Sequence, residues 1–136
     1  MKKLILVLCL ALAMVISGCG LKRSNPLDPN ADAAIIVPEQ VSDLEALPSP
    51  ANVPNKYVRL SWRANSSLTT DGYYVYRGLS YFSEFARVDT VITVSSYDHI
   101  NIMPGDYYYK VSAFKTHPAG RLEGRLSAPV FVRVPN

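Results

Sequence analysis

From Tyr57 onward, apolar and polar positions alternate with period two. Val58, Leu60 and Trp62 alternate with Tyr57, Arg59 and Ser61, and Tyr73 and Val75 with Tyr74 and Tyr76. Tyr107, Tyr109, Val111 and Ala113 alternate with Tyr108, Lys110 and Ser112, and Val130, Val132 and Val134 with Phe131 and Arg133. This period places one apolar face on each strand. No stretch after Cys19 has helical spacing over the ~11 residues that a helix signal needs. Pro48, Pro50, Pro54, Pro104 and Pro118 fall between the apolar runs. Pro129 precedes the last run, a place an edge strand tolerates. The pattern predicts an all-β, two-sheet sandwich of about seven strands from Pro38 onward.

The N-terminus breaks the alternation. Leu4 to Ile16 is continuously apolar, preceded by Lys2 and Lys3 and followed by Ser17 and Gly18. This is the layout of an export signal, and it is shorter than the ~20 apolar residues of a spanning helix. Ile16-Ser17-Gly18-Cys19 resembles the lipobox of bacterial lipoproteins. The resemblance implies that residues 1–18 are a signal peptide cut between Gly18 and Cys19. It also implies a diacylglycerol on the Cys19 thiol, with the new amine often acylated. Each buried CH₂ adds roughly 0.8 kcal/mol and one chain anchors only marginally, so two or three chains make release negligible. Gly20 follows the cysteine where Asp would favour retention in the inner membrane. By the same resemblance, the expected location is a membrane reached by lipid alone, the outer one in a two-membrane host.

Residues 19–37 read as the lipidated cysteine and a linker. Asn25-Pro26 and Asp28-Pro29 push the chain toward extended or turn conformations. Residues 20–37 would span roughly 60 Å stretched, or about 23 Å as a flexible coil. Asn25-Pro26-Leu27-Asp28-Pro29 resembles a short element placed soon after the lipidated cysteine in other envelope lipoproteins, either a stiff spacer or a docking signal. Ala33-Ala34-Ile35-Ile36-Val37 is too apolar for a free linker and is expected to pack beside the domain or begin its first strand.

Residues 38–136 resemble a fibronectin type III domain, an immunoglobulin-like sandwich. Pro38 to Leu44 resembles the opening of strand A, Val58 to Trp62 strand B with its buried Trp, and Asp71 to Arg77 strand C. Ser96 to Asp98 resembles strand E, Pro104 to Phe114 the turn and strand F, and Leu126-Ser127 with the following valines strand G. The resemblance makes Tyr107 the tyrosine corner, its hydroxyl bonded back to backbone near Ile102. The gap from Pro104 to Tyr107 is one residue shorter than the family's usual spacing.

Charge and chemistry narrow the function. The chain carries a formal +3. Without Lys2 and Lys3, twelve basic residues face eleven acidic ones, a balance that gives no reason to bind nucleic acid. The cysteines are Cys9, in the leader, and Cys19, so the domain has neither a disulfide nor a thiolate metal site. Asp98-His99 is adjacent in a strand, which sends the two side chains to opposite faces. A metal held by His99 and His117 lacks a third ligand at any suggestive spacing. No metal, catalytic residue or cofactor beyond the covalent lipid is therefore expected. Gly120 to Arg125 is read as a polar, mobile F–G loop, either a solvated connector or, as the resemblance implies, a second candidate for contacting a partner. Tyr74, Tyr76, Tyr108 and Phe131 are expected to point outward together, with Lys110 and Arg133 among them, either as a binding surface or as cross-strand aromatic pairs that stabilise the sheet. The expectation is a lipid-anchored, non-enzymatic module holding an envelope protein or glycan, or alternatively a structural spacer or subunit of a larger envelope assembly.

Overall fold

The computed structural model describes residues 25–91 and 94–136. The lipobox, Cys19 and the cleavage position lie outside the described residues. The strands are β1 (Glu45–Pro48), β2 (Tyr57–Ser61), β3 (Gly72–Gly78), β4 (Ala86–Val91), β5 (Ser96–Ile100), β6 (Gly105–His117), β7 (Gly120–Glu123) and β8 (Val130–Val134). One sheet has the order β1-β2-β5. The other runs β4-β3-β6, with β7 and β8 both on the far edge of β6. All pairings are antiparallel.

The core follows the alternation. Val58, Leu60 and Trp62 of the first sheet face Tyr73, Val75, Tyr109, Val111, Ala113, Val132 and Val134 of the second. Val41 and Ile102 close it at the loops. Trp62 meets Tyr73 edge-on, with ring centroids 5.1 Å apart. Tyr107 donates its hydroxyl to the Met103 carbonyl at 3.0 Å, one residue beyond Ile102. The corner therefore closes despite the short spacing.

Among the described residues eight strands appear rather than seven because the last is delivered in two pieces. β7 pairs with Phe114–His117 and β8 with Gly105–Tyr109. Between them the edge of β6 is satisfied by other groups. Gly124 N–H donates to the Ala113 carbonyl at 2.8 Å, and Ser127 N–H to the Val111 carbonyl at 2.8 Å. The Ser127 hydroxyl accepts the Val111 N–H at 3.0 Å. A buried backbone donor left unpaired would be costly, so Ser127 completes the ladder where the strand is interrupted. The expected mobile F–G loop is corrected accordingly: residues 120–123 extend a hairpin with β6. Strand A also begins later than its resemblance implied, at Glu45.

The segment before the sandwich is a chain of turns. Asn25 Oδ1 accepts the Leu27 N–H at 3.0 Å, Asp28 Oδ1 the Asn30 N–H at 2.9 Å, and Asp32 Oδ1 the Ala34 N–H at 2.9 Å. The backbone carbonyls of the same three residues accept N–H groups of Asp28, Ala31 and Ile35. Pro26 and Pro29 fix φ at the second position of the first two turns. From Asn25 onward the linker is therefore not a free coil. It runs against the β6–β7 hairpin: the Ile36 carbonyl meets His117 Nε2 at 3.2 Å. A Cβ on Gly120 would sit 3.7 Å from Leu27 Cδ1.

Gly124 is where this segment passes closest. A Cβ there would lie 2.5 Å from the Pro38 carbonyl oxygen, closer than real contacts allow. Gly124→Ala is expected to lower unfolding free energy by about 1–3 kcal/mol through this backbone clash. Urea denaturation measures the loss, and an unchanged midpoint would refute the contact.

Candidate functional site

The outer face of the larger sheet carries the four aromatic residues expected there, in two separate environments. Parity directs Tyr74, Tyr76, Tyr108 and Phe131 away from the core, as the strand geometry requires. Tyr74 is nevertheless only 6% exposed. It stacks on Phe114, with centroids 4.6 Å apart and planes 26° apart. The Arg87 guanidinium lies 4.6 Å from the Tyr74 ring and that of Arg121 lies 4.6 Å from the Phe114 ring. Hydrophobic rings roofed by cations form a small second core. The expectation that Tyr74 joins an open binding surface is thus corrected. Phe114 and the two arginines, supplied by neighbouring strands, cover it.

Tyr76 is half-buried and its hydroxyl donates to Glu123 Oε1 at 2.7 Å. The buried Ser112 hydroxyl donates to the same carboxylate oxygen. Burial, reinforced by the Glu123 carboxylate, pushes the Tyr76 phenol up to about 12. It is a neutral donor locking β7 over the sheet, not a free contact. Lys110, directly opposite Tyr76, sets its ammonium 4.1 Å from the Phe85 ring centroid.

Beyond Lys110 the face opens. Tyr108 and Phe131 are cross-strand partners with centroids 5.2 Å apart. Tyr81, from the loop after β3, meets Tyr108 edge-on at 6.3 Å and Phe82 at 4.9 Å. Phe82 is 94% exposed, Tyr81 53% and Phe131 47%. Arg133 and Asp106 pair through two hydrogen bonds of 2.6 and 2.8 Å beside Phe131. The structure thus keeps Tyr108 and Phe131 together, separates them from Tyr74 and Tyr76, and adds Tyr81 and Phe82. The loop pair carries no period, so strand alternation gives no notice of it. Its signal is two adjacent rings in Gly78-Leu79-Ser80-Tyr81-Phe82, a stretch without a strand pattern.

Asp98 and His99 each have a structural partner. Asp98 faces outward and binds Arg59 through two hydrogen bonds of 2.8 and 2.9 Å. His99 points the other way, its Nδ1 2.7 Å from the Tyr109 hydroxyl. The two do not converge, as alternation requires. Burial, with help from the nearby Arg77 charge, lowers the His99 pKa, while Asp89 opposes the shift. Among the described residues no three His, Cys, Asp or Glu side chains come together to hold a metal ion. A depression of about 830 Å³ lies at the opposite end of the sheet from Phe82 and is lined by residues including Asn65, Thr70, Asp71 and Ser95.

Tyr74→Ala is expected to cost about 3–5 kcal/mol, the range for emptying a buried aromatic site, whereas a surface ring would cost little. Chemical denaturation distinguishes them. His99 binds its proton less readily in the folded chain than unfolded, so its contribution is complete above pH 6.5 and declines as pH falls below that value. Thermal midpoints should fall between pH 6.5 and 5, and His99→Gln should flatten that segment. Asp71 and Asp98, held low by Lys115 and Arg59, lose their contributions only below their ordinary value of 3.8.

No protein-family model matches the chain, and no curated protein does. Solved structures do. A fibronectin type III-like protein from Clostridium thermocellum is 26% identical, with a TM-score of 0.55 over 71% of this chain and 92% of that one. A myokine structure is 16% identical, with a TM-score of 0.54 over 73% of this chain and 99% of that one. The twitchin kinase region from C. elegans matches at 15% identity and a TM-score of 0.52, over 73% of this chain and 17% of that one. The two sheets and these likenesses give a single fibronectin type III-like β-sandwich.

Proposed function

We propose that this protein is a lipid-anchored, non-enzymatic module of a bacterial envelope that holds a protein partner through Tyr81, Phe82, Tyr108 and Phe131. Anchoring rests on the sequence of residues 1–20, with Cys19 as the lipidated residue. Gly20, standing where Asp would favour inner-membrane retention, supports the outer membrane in a two-membrane host. The partner reading rests on one observation: four rings cluster at one end of the outer face with Phe82 almost wholly in solvent. Exposed aromatic clusters of this kind mark interaction surfaces.

Ring geometry favours protein over glycan. A sugar face stacks best on a flat platform, but Tyr81 lies 70° from Phe82 and 90° from Tyr108, and Tyr108 lies 52° from Phe131. Mutually tilted rings leave clefts that suit apolar side chains. The Arg133–Asp106 pair supplies a charged rim. A second reading, a subunit of a larger envelope assembly, draws on β5. That strand pairs only with β2 among the described residues, and its Ile100 is exposed, so it offers a free edge for strand addition.

Phe82→Ala should change folding stability by no more than about 0.5 kcal/mol, as expected for an exposed position. The same variant should lose the protein crosslinked to the wild type in intact cells. Retained crosslinking would remove the cluster from the function, and loss of polysaccharide retention with no protein partner would turn the reading to a glycan. Cys19→Ser should carry no lipid and should lose the cut before residue 19, checked by mass spectrometry; a variant still processed normally and membrane-bound would count against the anchor.

A further inference from the structure

We infer that the turns from Asn25 to Ile35 form a collar that seats the β6–β7 end of the sandwich on the lipid surface. The domain then stands end-on, with its exposed rings directed away. This rests on lipid attachment at Cys19 but goes beyond it, because an anchor alone leaves a domain free to tumble.

Three observations carry the inference. The first is the collar itself: three successive turns, opened by Asn25, Asp28 and Asp32, each closed by a side-chain and a backbone hydrogen bond. The second is where the collar ends up. Leu27 lies against Gly120, and the Ile36 carbonyl meets His117, so the β6–β7 turn and the start of the collar are neighbours. Cys19 precedes Asn25 by six residues. Even fully stretched, that interval reaches only ~20 Å. Tyr108 lies nine positions back along β6 from His117, about 30 Å down the strand. The hairpin is therefore confined near the anchor, and the ring cluster sits a further strand length away.

The third observation is what the near end presents. The loop between β2 and β3 is pinned beside the hairpin. Asp71 N–H donates to the Phe114 carbonyl at 2.8 Å, and the Asp71 carboxylate accepts from Lys115 Nζ at 2.7 Å and Thr116 N–H at 2.8 Å. This loop holds Leu68 in solvent at 79% exposure. This exposed leucine, with Val94 half-exposed on the neighbouring loop at the same end, fits insertion at the headgroup boundary. A protein occupant would have to share that end with the bilayer.

The test uses the full-length lipidated protein in phosphatidylethanolamine–phosphatidylglycerol vesicles, with a photoreactive amino acid at position 68, 118 or 82 in turn. Lipid adducts should form several-fold more at 68 and 118 than at 82. Equal yields at 68 and 82, or adducts at neither while the protein floats with the vesicles, would overturn the seating and leave the anchor intact. A protein that fails to float and carries an unmodified Cys19 would overturn the anchor instead. Asp28→Ala combined with Asp32→Ala should erase the preference for position 68 without changing flotation. A preference that survives this variant overturns the collar's role.

Discussion

The larger sheet is arranged around β6. Its thirteen residues pair with β3 along one edge and with β7 and then β8 along the other. Its odd-numbered side chains, Tyr109, Val111 and Ala113, are completely buried in the core. Its even-numbered ones, Tyr108, Lys110, Ser112 and Phe114, build the outer face. The registers of three neighbouring strands are thereby tied to one strand, and a slip of one residue would exchange the two faces of all of them. With no cysteine after Cys19, this register and the apolar core it buries do the work that a covalent crosslink does in many small exported domains.

The part of the fold governed by period two was legible in the sequence. The inward residues of β2, β3 and β8 and those at the centre of β6 are the expected ones. The tyrosine corner closes on Met103, next to the expected place. What escaped prediction is what alternation does not encode. Parity directs Tyr74 outward correctly but cannot report that Phe114 and two arginines will cover it, since those come from three other strands. Gly120 to Glu123 reads as polar loop because only Leu122 among its residues is apolar. Its strand character comes from pairing with β6 and from Glu123 reaching Ser112 and Tyr76. The turns at Asn25, Asp28 and Asp32 are written in the sequence as Asx residues at turn-opening positions, two of them followed by proline. Composition alone makes the same residues look like flexible linker.

The outer face shows how one residue type is put to two uses. At the β7 end, rings are roofed by arginines and bounded by the Tyr76–Glu123 hydrogen bond, so they stabilise the sheet. At the β8 end, the outward residues opposite β6 are Phe131 and Arg133. Arg133 is engaged with Asp106 and leaves the rings uncovered. The break between β7 and β8, bridged by Gly124 and Ser127, therefore does more than interrupt a strand. It ends the arginine and glutamate cover half-way along β6.

That division coincides with the polarity of the chain. The N-terminal segment reaches the sandwich at the covered end, where a partner would have to compete with the collar and, in a lipidated protein, with the membrane. Rings exposed there would also be drawn to lipid, since apolar area near a bilayer is buried at little cost. In a chain anchored by lipid at Cys19, cation-roofed, hydrogen-bonded aromatics at the collar end and bare ones a strand length away would avoid this competition. The same separation accounts for why the ring pair at Tyr81 and Phe82 sits in the loop joining β3 to β4. That loop leaves β3 at the end opposite the collar, so it can carry apolar side chains into solvent without perturbing either the core or the seat.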